Sequence, residues 1–514
     1  MMFLLDDARP EMSIYGQTHM HDTNIEALSR QGLSFQNAFA QYASCVPSRA
    51  SFLTGRRPQK TGVTLTKTYF RHSGGDGASG WNTLPELFRR QGYETAGVGK
   101  VFHIQGFQTE ESNRAFSTGI PTPRSYSRIM CEYGYYKIMS KYCPIDIPES
   151  EIYDSIYTQQ MIDLLDRNRN RRFFFTLGFL LPHGPFAVPR RLWNLYSNVP
   201  LLQNREFVGE IPLSWNGDTI IEPGNEHSSQ TLKRWNLCRI EESGLEHCIC
   251  NDQEGMISKF SNRHYDSSAI LCDPSKEWYY LNSVRKNGSL PFVPQRVMND
   301  FRKGYFAAMT FVDEQIGHVM NKLNSLQITS NTIVVMVSDH GYNLGESNNF
   351  RKDNTNYLAL RVPLIISVPW LTNSLNKRTR AMFELVDLMP TLASLAGIDL
   401  HEDVDGIDQS NIFLQPSVQN KDCAFSQMGK KIDDGSIINA YTIHTNDYRF
   451  TKWIPSNNTN LWTSNFVMEE LYHISSHCNQ GSYDTCERYN VVYTHIDVAE
   501  RLRVLLRRQF YDLS

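Results

Sequence analysis

At roughly 100–200 residues per domain, the 514-residue chain has room for several domains around a sizeable core. Hydrophobic residues make up 40%, aromatics 12% and charged residues 20%, which excludes a chain that fails to collapse. A net charge of −3, with no long lysine or arginine run, excludes a surface built to track phosphates, so no nucleic-acid partner is expected.

In chain order, short apolar strands alternate with amphipathic helices, the pattern of a mainly parallel sheet covered on both faces. The segment Phe3 to Leu5 reads as a first strand. A helix follows, capped at Thr23, with Ile25 and Leu28 on its apolar face and Gly32 as its stop. The stretch Asn82 to Gly92 carries an early Pro85 and a terminal Gly92, and Glu94 to Val98 supplies the next strand. The most apolar run, Phe173 to Leu181, is far shorter than the ~20 residues of a membrane-spanning helix, so no membrane span is expected. Between residues 204 and 295 the pattern fades into a polar insertion that holds Cys238, Cys248, Cys250 and Cys272. From Val297 to Leu323 apolar residues recur every three or four positions, as one helix face requires. The continuous apolar run Thr332 to Val337 then reads as a strand buried on both faces, delivering Ser338, Asp339, His340 and Gly341 at its C-terminal end. In open α/β sheets ligands bind at that edge. Strands at Ile437 to Tyr441 and Tyr448 to Trp453, and a helix from Asp497 to Gln509 with Asp497 and Glu500 at capping-box spacing, make a small C-terminal α+β subdomain. The expected division is a catalytic α/β domain over 1–420 and this subdomain over 421–514.

No C-x-x-C pair is present among the ten cysteines. Cys131 and Cys143, and separately Cys478 and Cys486, are near neighbours on polar segments, which suits short disulfide loops in an oxidising compartment. Sequons at Asn287 and Asn457 agree with a secretory route. The start Met1 to Leu5 has neither a basic n-region nor a cleavage site, and truncation of the N-terminus is expected.

The segment with the most specific chemistry is Cys45 to Arg56, of the form C-x-P-S-R-x-x-x-L-T-G-R. Cys45 alone reads as an ordinary buried thiol. The whole string resembles the signature of the formylglycine-dependent sulfatases. Further segments in the same family's order are Asp6 to Pro10, Phe35 to Gln41, Gly97 to His103, Pro182 to Phe186, Ser338 to Gly341, Glu384 to Leu392 and Tyr448 to Trp453. Within the family the resemblance is greatest to the iduronate-2-sulfatases of heparan and dermatan sulfate breakdown.

The resemblance implies an alkaline-phosphatase-like α/β fold and hydrolysis of a sulfate ester. It implies that Cys45 is oxidised to Cα-formylglycine by a formylglycine-generating enzyme, and that the aldehyde hydrate attacks sulfur. Such a site must neutralise the sulfate charge, supply a nucleophile and protonate the departing alkoxide. Asp6, Asp7 and Asp339 are hard oxygen donors suited to Ca²⁺, or less well Mg²⁺, and the family pattern adds Cys45 and His340 to that metal set. By resemblance Arg49 and Lys100 hold the formylglycine oxygens, His103 orients or deprotonates the hydrate, His183 protonates the leaving group and Lys352 contacts sulfate. Tyr342, where the family has Trp, offers a ring for sugar stacking. The spacing of Cys131 and Cys143 resembles a bridged loop of the same enzymes. The substrate implied is a sulfated glycosaminoglycan, carrying 2-O-sulfate on a uronic acid, and the compartment lysosomal or secreted. The chain departs from that pattern at Thr61 to Val63 and at Leu181, where basic contacts to an acidic sugar are replaced. An enzyme for another small ester, choline sulfate or a phosphonate, and a catalytically silent glycan-binding relative are the alternatives.

Overall fold

The computed structural model describes residues 1–64, 68–75, 77–103, 108–117, 142–198, 239–240, 246–247, 295–346, 349–431, 437–455, 468–475, 478, 483 and 486–511. A seven-stranded sheet runs through its centre, in the order Lys377–Glu384, Leu33–Phe39, Arg361–Ser367, Val334–Ser338, Met2–Leu5, Phe173–Gly178, Glu94–Gly99. Every neighbouring pair is parallel except those of Arg361–Ser367, which runs antiparallel to both of its neighbours. The central strands Met2–Leu5 and Val334–Ser338 are buried at every residue, which is why they read as unbroken apolar runs rather than alternating ones. The long helix expected after the insertion is present with slightly wider bounds, Gln295–Ser325, and the strand that follows starts two residues later than expected and ends one later, Val334–Ser338.

Two apolar layers cover the sheet. On one face the helices Thr23–Arg30, Tyr153–Asn168 and Gln295–Ser325 pack through Ile25, Leu28, Met161, Leu165, Phe301, Met309 and Val312. On the other, Phe52, Leu53, Leu87, Phe88, Leu388 and Leu392 come from the helices Cys45–Thr54, Leu84–Arg90 and Leu388–Leu395. Helix starts differ from expectation. The first helix has Asp22, not Thr23, at its N-cap, with no capping bond from that side chain. Asp313 takes over instead, accepting from Ile25 N–H at 2.7 Å and Asn24 N–H at 3.3 Å, so a distant carboxylate replaces a local cap. The last helix, Ile496–Phe510, likewise starts without a side-chain capping bond.

The C-terminal portion is a four-stranded antiparallel meander, Ala424–Lys431, Ile437–His444, Tyr448–Pro455 and Met468–His473, with Ile496–Phe510 packed against it through Leu502, Leu506 and Phe510. Cys478 and Cys486 are joined by a disulfide beside this sheet. Cys143 is also disulfide-bonded, but Cys131 lies outside the described residues, as do Asn287, Asn457 and the expected insertion apart from the short pair Arg239–Ile240 and Glu246–His247.

Candidate active site

Every residue expected to do chemistry follows the C-terminal end of a parallel strand, or precedes the start of the one antiparallel strand, so all of them meet at one edge. Asp6 and Asp7 follow Leu5; Asp339 and His340 follow Ser338; Lys100 follows Gly99; His183 lies beyond Gly178 and Cys45 beyond Phe39. Lys352 reaches the same edge because Arg361–Ser367 runs the other way and begins there. Two local features sharpen the placement. Gly99 has φ +74° and a Cβ there would overlap the Gly178 carbonyl, so only glycine lets Lys100 turn out of the sheet at this close approach. Asp7 has φ 66° despite its side chain, a costly conformation of the kind retained at functional sites.

The groups converge on Cys45, the first residue of the helix Cys45–Thr54 and only 5% exposed. Its Sγ lies 3.3 Å from Asp6 Oδ1, 3.3 Å from His340 Nε2, 3.4 Å from Lys100 Nζ and 3.0 Å from Lys352 Nζ. Lys100 donates to Asp6, and Lys352 donates to Asp7 Oδ1 at 2.6 Å. Arg49, one turn along the same helix, donates from Nε to Asp339 Oδ2 at 2.8 Å and from Nη1 to the carbonyls of Lys100 and Val101. Its Nη2 is buried without a hydrogen-bond partner among the described residues, 3.7 Å from Asp6 Oδ1, so donor capacity is left over. The other Asp339 oxygen accepts from the backbone N–H of His340 at 3.0 Å and of Asp7 at 3.3 Å, which ties the two carboxylate loops together. The ligand atoms of Asp6, Cys45, Asp339 and His340 lie within 4.8 Å of one another, as do those of Asp7, Cys45 and His183.

Both histidines in these groups donate from Nδ1 to a backbone carbonyl, His340 to Gly341 at 3.0 Å and His183 to Gly184 at 2.7 Å. A carbonyl can only accept, so the Nδ1–H tautomer is fixed and Nε2 is the atom each ring presents.

Charge sets the protonation states. Burial would raise the Asp6 carboxyl, but Lys100, His183 and Arg49 outweigh it and hold it well below its ordinary range. Asp7 is lowered in the same way, burial opposing and Lys352 prevailing. Burial, reinforced by the Lys100 and Arg49 charges, pulls His103 down to about 3. Burial and Lys352 pull His183 down to about 4 against the carboxylates of Asp7 and Asp6. Three carboxylates and an imidazole nitrogen around one point suit a hard divalent cation bound mainly through oxygen.

A family model described as Sulfatase matches residues 2–398, which contain all of these groups. The chain belongs to the sulfatase family. Mouse and human iduronate 2-sulfatase are each 28% identical to this sulfatase, covering 88% and 93% of it and 84% and 89% of their own lengths. Among solved structures, a protein in complex with its substrate D-glucosamine-2-N,6-O-disulfate superimposes with a TM-score of 0.67 at 20% identity, covering 99% of this chain and 97% of the other. The phosphonate monoester hydrolase of Silicibacter pomeroyi gives 0.66 at 16% identity, covering 99% and 94%. At those identities the structural likeness shows the fold alone, and it agrees with the sheet of mainly parallel strands and the C-terminal antiparallel sheet. The sequence relatives make this sulfatase a hydrolase.

Tyr342 follows the same strand end as Asp339 and His340, but its ring is enclosed. It is 1% exposed and packs in the core, stacked on Tyr305 with ring centres 5.7 Å apart and edge-on to Phe186, so it offers no open ring to a sugar. The aromatic cluster on the long helix, rather than solvent, claims this position. Two serines missed in the sequence support the loops: Ser48 donates to the Asp339 carbonyl, and Ser338 Oγ donates to His340 O at 2.8 Å while accepting from Ala8 N–H at 2.9 Å. Ser48 lies inside the signature string and Ser338 heads the string Ser338 to Gly341, and those strings were the available signal.

Proposed function

We propose that this sulfatase removes 2-O-sulfate from uronic acid residues of heparan or dermatan sulfate, with Cα-formylglycine made from Cys45 as its nucleophile. The observation that carries the catalytic part is the convergence of Asp6, Lys100, His340 and Lys352 on one buried sulfur at a helix N-terminus. The iduronate 2-sulfatases among its relatives support the substrate. Asp6, Asp7, Asp339 and His340, with residue 45, would hold the metal, and Ca²⁺ fits the oxygen-rich set better than Mg²⁺. When bound, the ion would supply positive charge to offset that of the sulfate, and the formylglycine hydrate would supply an oxygen nucleophile.

The remaining work belongs to the side chains around residue 45. Lys352 and Lys100 set two ammonium groups within 3.4 Å of residue 45, where charge must be neutralised as the ester is cleaved. Arg49 orients Asp339 and spans the Lys100 loop. His103, neutral near pH 6, accepts the proton of the nucleophile. His183, once protonated at Nε2 as well as Nδ1, presents that Nε2–H to the departing sugar oxygen and passes it the proton. A formylglycine-generating enzyme is the required maturation partner, and a lysosomal or secreted location fits that route.

Turnover of disaccharides ending in 2-O-sulfated iduronate, compared with choline sulfate and a phosphonate monoester, tests the reading. Preference for the disaccharide by at least ~100-fold in kcat/KM is expected. Preference for choline sulfate or the phosphonate would overturn the substrate, and no turnover of any ester by protein bearing formylglycine would overturn the catalytic part.

A further inference from the structure

The loop that carries His183 is held from an unexpected place. Leu180 and Leu181 open the turn that ends at His183, which closes by donation from His183 N–H to Leu180 O at 3.0 Å. The backbone N–H groups of Leu180 and Leu181 both donate to one carboxylate, Asp154, at 2.8 Å to Oδ1 and 3.0 Å to Oδ2. Asp154 lies in the first turn of the helix Tyr153–Asn168, on the helical layer behind the sheet, and is 1% exposed. Among the described residues it forms no ion pair. A carboxylate buried without a cation is expensive, and burial pushes Asp154 up to about 7 even with two amide donors. Both of its oxygens are spent on the two residues that open the turn, three and two positions before the histidine.

We propose that Asp154 is the positioning residue of His183, fixing the turn so that Nε2 faces the ester oxygen. This rests on the assignment of His183 as the acid of the reaction. Asp154 has the geometry of a two-point clamp: one oxygen per amide, with the helix supplying a rigid mount. An asparagine of the same size keeps one acceptor and turns an NH₂ toward the second amide, so the turn loses one of its two anchors and meets a repulsive contact there.

Leaving-group dependence tests the proposal. A sugar alkoxide needs its proton during S–O cleavage, whereas 4-nitrophenolate departs without one. In Asp154→Asn, kcat on the sugar sulfate is expected to fall about 10- to 100-fold with KM within about threefold, while kcat on 4-nitrophenyl sulfate changes less than about threefold. His183→Ala should show the same selectivity, and the double variant should be no slower than His183→Ala alone. Equal losses on both esters, or additive losses in the double variant, would overturn the clamp. A flat leaving-group response in His183→Ala itself would instead overturn the role of His183, and the clamp with it. Should Asp154→Asn fail to fold, Asp154→Glu keeps an acceptor pair at a shifted position, and the same contrast between esters decides.

Discussion

Two buried charge clusters in this sulfatase, one at the sheet edge and one in the C-terminal meander, are built from the same residue types and do different work. In the meander, Arg449 donates to Glu487, to Glu470 at 3.3 Å and to Thr451 Oγ1 at 2.6 Å. Glu470 also accepts from Trp453 Nε1 at 2.8 Å and Glu487 from the Tyr357 N–H at 2.8 Å. The charges and donors of that cluster are closed on one another, and it ties the meander to the segment that precedes Arg361–Ser367. At the sheet edge the groups instead point at one atom, Cys45 Sγ, and Arg49 keeps a nitrogen with no hydrogen-bond partner among the described residues. Closed satisfaction marks a cluster that specifies the fold; convergence with capacity left over marks one that acts on something else.

Breaking the convergent cluster at its centre has the largest expected effect. Cys45→Ala should reduce sulfate-ester turnover to background while moving Tm by less than about 2 °C, since a small buried side chain is replaced by one of similar volume; retained turnover would contradict the role of Cys45. Exhaustive chelation should come next, abolishing activity reversibly with Ca²⁺ restoring more than Mg²⁺, checked by turnover before and after readdition. Full activity after chelation would contradict the metal site.

Acidity sharpens the contrast further. With His183 pulled down to about 4 its protonated fraction rises as pH falls, while Asp154, pushed up to about 7, loses charge over the same range and loosens the turn, so kcat/KM should increase from pH 7 toward pH 5 less steeply than the ~10-fold per pH unit of His183 alone. A profile that rises toward neutral pH would remove His183 as the acid. In the closed cluster the same kind of change should be read in stability alone. Glu487→Gln leaves Arg449 buried with a weaker partner and should cost about 2–4 kcal/mol by denaturant unfolding, with kcat per folded molecule unchanged. The smallest effect is expected at Tyr483→Phe, which removes a 2.8 Å bond from the segment enclosed by the Cys478–Cys486 bridge to Pro10 O, worth about 1 kcal/mol.

These two clusters were not equally legible in the sequence. The convergent one was readable because Cys45 to Arg56 and seven further strings resemble the sulfatase pattern; the residues alone gave only the ligand-binding edge, where the apolar run Thr332 to Val337 hands over to Asp339-His340. Strand and long-helix positions were readable because burial on both faces writes an unbroken apolar run, and one buried helix face writes a three-to-four spacing. What depended on tertiary contact was hidden. Nothing local shows that Asp313 caps a helix nearly 300 residues away, that Arg361–Ser367 runs antiparallel and so brings Lys352 to the edge, or that Asp154 clamps the His183 turn. Tyr342 misled because a ring beside Asp339-His340-Gly341 suggests exposure, whereas Tyr305 and Phe186 enclose it.

The most direct measurement is mass spectrometry of the peptide spanning Cys45 from active protein made in a secretory host. An aldehyde at position 45, trapped by a hydrazide probe and present in proportion to specific activity, is the expected result. Active protein whose residue 45 is entirely an unmodified thiol would contradict the central claim that this position supplies the nucleophile.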